Sequence, residues 1–75
     1  MRIQTLVNDL GASKAGIARK LGLPQPYVYM WLEPQKYPRT LTDEALRKIA
    51  EFEGRSFRAT KADYLSRLNR ETAAA

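Results

Sequence analysis

An all-α fold, a small bundle of about five helices, is predicted by three features of this chain. Apolar residues recur at helical spacing along it, glycines stand where that period breaks, and there is neither an alternating β-branched run nor an Asn-Gly or Asp-Gly turn. The 75 residues have room for one domain, expected over 1–70, with a frayed tail over 71–75. A domain this small buries only about 60 per cent of its unfolded surface, so its stability is modest and a second copy would add to it.

Each element can be justified in turn. Ile3, Leu6, Val7 and Leu10, at i, i+3, i+4 and i+7, mark a first helix that Gly11 stops. Ser13 then caps a second, whose Ile17, Ala18 and Leu21 share a face until Gly22 breaks the period. A third helix spans about Gln25 to Leu32, with Val28, Trp31 and Leu32 as its inward stripe. Pro34 cannot continue it, so 34–40, with Pro38 inside, reads as an irregular basic connector. Thr42, followed by Asp43 and Glu44, opens a fourth helix along Leu46, Ile49 and Ala50 as far as Gly54. Thr60, with Asp63 three residues on, has the spacing of a capping box for a fifth, in which Leu65 and Leu68 share a face. Phe52, Phe57, Tyr64 and Leu65 either complete the core or form a contact between two copies; both readings stay open.

The second and third helices form the informative pair. A tight bend needs a small side chain where the helices approach, supplied by Ala18, and a residue tolerant of positive φ at the corner, supplied by Gly22. The outward face of the third helix carries Gln25, Tyr29 and Met30, with Tyr27 toward the flank, instead of the usual Lys and Glu. Such groups suit a major groove. An amide pairs bidentately with an adenine edge, a phenol reaches a phosphate or base, and a thioether contacts a thymine methyl.

The run from Lys14 to Glu33, KAGIARKLGLPQPYVYMWLE, resembles the helix-turn-helix of phage Cro and repressor proteins, most closely in GLPQPYVYMWL. The resemblance implies a lambda-repressor- or Cro-like bundle in which the third helix enters the major groove and homodimers read palindromic operators on double-stranded DNA. By position it makes Gln25, Pro26, Tyr29 and Met30 base contacts. It makes the Ser13/Lys14 end of the second helix a phosphate contact. Pro24 departs from the pattern, standing where the family commonly has a Ser or Thr cap worth about 1 kcal/mol. Glu33 and Met30 depart too, the first by repelling phosphate and the second by replacing a polar reader.

Charge and composition narrow the function classes. Thirteen Lys and Arg against eight Asp and Glu leave a net charge of +5, which suits a polyanionic partner. Lys14, Arg19 and Lys20 precede the reading helix and Lys36 and Arg39 follow it, so with Ser13 and Tyr27 they are the expected phosphate contacts. There is no Cys and no His, so disulfides, thiolate chemistry and the usual zinc spacings are absent, and no metal, cofactor or small-molecule ligand is expected. Enzymatic activity is not expected either. No imidazole stands by to activate Ser or Thr, and the carboxylates are scattered. Gly11 to Gly16 has the outer spacing of a phosphate-binding loop but lacks the Lys-Ser/Thr pair that should follow. No apolar run approaches a membrane span, so a cytoplasmic repressor in a bacterial host is the expectation. Two rivals remain: an antitoxin-like or accessory module whose Tyr27, Tyr29, Met30 and Trp31 dock a protein, and a single-stranded RNA binder that stacks bases on the tyrosines.

Overall fold

Hydroxyl caps and left-handed glycines set the helix boundaries. In the computed structural model, which describes the backbone of residues 1–74 and the side chains of 1–69, there are five helices: α1 Ile3–Asn8, α2 Lys14–Leu21, α3 Gln25–Leu32, α4 Asp43–Glu53 and α5 Phe57–Ala74. There is no strand among the described residues. Ser13 Oγ accepts from the Gly16 N–H at 3.2 Å and Thr42 Oγ1 from the Ala45 N–H at 3.2 Å, which satisfies first-turn donors of α2 and α4. Gly22 and Gly54 close the same two helices at φ 71° and 70°, a region where a Cβ would strain the backbone.

Three element expectations need correction. Helix α1 stops at Asn8, short of Leu10, which is exposed; the chain turns through Gly11 at φ 66°. Helix α5 begins at Phe57 and not at Thr60, because Ser56 Oγ accepts from the Ala59 N–H at 3.1 Å. Thr60 lies within the helix, fully buried, and its hydroxyl donates to the Ser56 carbonyl at 2.9 Å. Asp63 serves as an ion-pair partner for Arg55 and Arg67 in place of a cap. The connector is also less irregular than expected: Pro34–Lys36 form a 3-10 turn with Pro34 buried. Of the tail expected over 71–75, the backbone of 71–74 continues α5, and residue 75 lies outside the described residues.

The core gathers Ile3, Ile17, Leu21, Val28, Trp31, Leu46, Ile49 and Tyr64 from all five helices. The Trp31 and Tyr64 rings stack with centroids 6.1 Å apart and planes 14° from parallel, and the Tyr64 hydroxyl accepts from the Leu41 N–H at 3.0 Å. Tyr64 is therefore core, Phe52 and Phe57 pack half-buried against the core, and only Leu65 of the four ambiguous residues is left exposed.

Polar ties complete the bundle. Glu53 is buried, accepts from the Ile3 N–H at 2.9 Å and pairs with Arg55, whose guanidinium also reaches Asp63 at 3.2 Å. Burial works against the Arg55 cation, but its bonds to Asp63 and Glu53 outweigh that cost and hold its pKa above the usual value. Arg67 anchors the far end of α3. Its guanidinium lies 4.3 Å from the Trp31 ring centroid and donates to the Trp31 carbonyl at 2.6 Å, while the Gln35 amide donates to the Arg67 carbonyl at 3.0 Å. Burial lowers the Arg67 pKa, with Asp63 acting in the opposite direction. Helix α5 thus grips the C-terminal half of α3 and leaves its first turn free.

Candidate nucleic-acid interface

The exposed turn begins at Pro24, whose φ of −59° suits a helix start although it offers no side-chain cap. Gln25 and Pro26 stand exposed, Tyr27 and Tyr29 are half-buried, and Val28 and Trp31 point into the core. Leu32, expected on the inward stripe, packs against the core while remaining partly accessible.

Three of the expected contact residues come together. The Gln25 Nε2 donates to the Tyr29 hydroxyl at 3.0 Å, one helical turn along the same face. The Lys14 ammonium, from the first turn of α2, sits 5.0 Å from the centroid of the Tyr29 ring. An amide, a phenol and a cation from two helices therefore form one connected surface group.

Met30 does not belong to that surface. It is 7% exposed and part of the core, so the expected base contact is corrected to a packing role. The reason is the path of the connector, which folds back along α3 so that Tyr37, Pro38, Arg39, Thr40 and Thr42 line a cleft of about 420 Å3 with Pro26, Tyr27 and Met30. Trp31, 2% exposed, is likewise withdrawn from any docking surface. Met30→Ala is expected to cost about 2–4 kcal/mol of folding stability, and Met30→Leu under about 1.5 kcal/mol; chemical denaturation of the two variants checks this, and near-wild-type stability of the alanine variant contradicts it.

The expected phosphate contacts are dispersed around α3. Arg39 lines the cleft beside Pro26 and Tyr27, so it flanks the first turn, and among the described residues no carboxylate pairs with it. Lys36 pairs with Glu33, which offsets the repulsion expected of that carboxylate. The same hydrogen bond and charge hold Glu33 below the ordinary carboxylate range and raise Lys36 above the ordinary lysine value. Ser13 Oγ is engaged as the α2 cap and retains its own proton for donation. Arg19 and Lys20 are exposed on the last turn of α2, and Lys20 leans over a cleft toward α4 that Lys48, Glu51 and Phe52 share.

Comparison with family models, curated proteins and solved structures finds no match. The reading of this surface therefore rests on its own chemistry.

Two contributors were not anticipated. Lys48 donates to the Gly22 carbonyl at 3.4 Å, adding a cation behind the α2–α3 turn; its place beside the apolar Ile49 on α4 was the available signal. Nothing in the sequence around Arg67, late in the chain, signals its contact 36 residues away. Among the described residues no group of His, Cys, Asp or Glu converges where a metal ion could be held, and no helix is long and apolar enough to cross a membrane.

Proposed function

We propose that this chain is a sequence-specific double-stranded DNA-binding transcriptional regulator, of the phage or prophage Cro-repressor type, which binds a palindromic operator as a homodimer in the bacterial cytoplasm and blocks polymerase by occupying its site. The observation that carries the proposal is the α3 first turn, held outward with the Gln25–Tyr29 pair beside Lys14 while Val28 and Trp31 anchor the opposite side. Gln25 addresses a base edge, and Tyr29 and Pro26 shape its approach. Lys14, Arg39 and the exposed Arg19 contribute phosphate neutralisation, as do Lys20, Lys36, Ser13 and Tyr27 at the margins. Steric occlusion requires no catalysis and no cofactor.

The test is duplex binding as a function of salt. Retention should fall steeply from about 50 to 200 mM salt, and Arg39→Ala should weaken all sequences alike while lowering the log–log salt slope by about one. The apolar cleft lined by Pro26, Tyr27, Tyr37 and Pro38 favours one alternative, a helix-turn-helix module that docks a protein partner. Salt-insensitive capture of a protein, with no retention of duplex DNA, would support that alternative.

A further inference from the structure

We infer that Tyr29 is a positioning residue, which acts on the DNA sequence through Gln25 and gives the first turn of α3 its preference for an adenine-containing base pair. The inference rests on the regulator reading and deepens it.

A glutamine carboxamide carries one acceptor oxygen and two N–H donors. Rotating it by half a turn about its last bond exchanges the two ends, so an unsupported Gln25 would present donor and acceptor in either order. Here one N–H donates to the Tyr29 hydroxyl at 3.0 Å; once the phenol's own proton is given to an acceptor on the DNA, its oxygen can only accept, which sets the order. One N–H and Oε1 stay free, and this donor–acceptor pair matches adenine, whose major-groove edge offers N7 as acceptor and N6 as donor. Guanine offers two acceptors there and would leave Oε1 unpaired.

The phenol is itself held in place. The Lys14 ammonium lies 5.0 Å from its ring centroid, and the i, i+4 spacing on α3 keeps hydroxyl and amide on one face. Because the hydroxyl oxygen accepts from Gln25, its own proton is available for a phosphate or a base acceptor. One base-reading unit is thus assembled from two helices, with Gln25 touching the base, Tyr29 orienting Gln25, and Lys14 restraining Tyr29.

The experiment uses the full chain and a site selected from randomised duplex DNA. Affinities for that site, for its single-base variants and for random duplex are measured for wild type, Tyr29→Phe, Gln25→Ala and the double variant. Tyr29→Phe keeps the ring and so the fold. It is expected to lower the preference for the adenine-containing pair at one position roughly tenfold, with the salt slope unchanged and any loss on random duplex shared equally by every sequence, and to add no further loss of that preference in the Gln25→Ala background. In the free protein, Tyr29→Phe should also shift the Gln25 side-chain amide resonances. Additive losses in a chain that binds DNA, or unshifted amide resonances, overturn the role of Tyr29 alone; a wild-type chain that retains no duplex DNA overturns the regulator reading and this role with it.

Discussion

Trp31→Ala should remove a large part of the chain's folding stability. The side chain is 2% exposed, stacks on Tyr64 and carries the Arg67 guanidinium on its other contacts. Truncating it opens a cavity between α3 and α5 and removes the surface on which a partly buried cation rests, at an expected cost of about 3–5 kcal/mol. A chain of this length has roughly 4–11 kcal/mol in total, so the loss consumes much of it. Thermal unfolding followed by far-ultraviolet circular dichroism should show Tm lowered by at least about 12 °C. Trp31→Phe, which keeps a ring against Tyr64, should cost less than half as much. A loss below about 1 kcal/mol for the alanine variant would mean that α3 is not anchored as described.

The second large effect concerns recognition. Gln25→Ala should cost roughly 1–3 kcal/mol on the selected site and relax the preference at one base pair, while binding to random duplex stays at the wild-type level. Stability should barely change, because Gln25 is exposed on the first turn and its one side-chain bond is to the equally local Tyr29. Fluorescence-anisotropy titrations on matched and substituted sites distinguish the outcomes. Equal losses on specific and random DNA would reduce Gln25 to a general contact and remove the argument for sequence reading.

The all-helical layout and the α2–α3 pair were legible because local signals agreed there. Ser13 and Thr42 cap where their spacing places them, Gly22 adopts the left-handed conformation expected of it, Gly54 ends α4 as expected, and Val28 and Trp31 point inward at helical spacing. The α5 start was misread since Thr60 and Asp63 have capping-box spacing, yet Ser56 offers an equally good cap one turn earlier and long-range pairs with Arg55 and Arg67 claim Asp63. Met30 was misplaced for a related reason: its burial depends on where the connector goes after Pro34, and nothing local to α3 encodes that path. The Gln25–Tyr29–Lys14 group could be assembled from the sequence only in part. The i, i+4 pair was visible, but the approach of Lys14 depends on how α2 packs against α3.

Selection of bound sites from randomised duplex DNA tests the central claim most directly. The account predicts an enriched palindrome whose half-site centres lie about one helical turn apart, with an adenine-containing pair at the position that Gln25 governs. Recovery of no preferred sequence, with retention that does not fall as salt is raised, would contradict it.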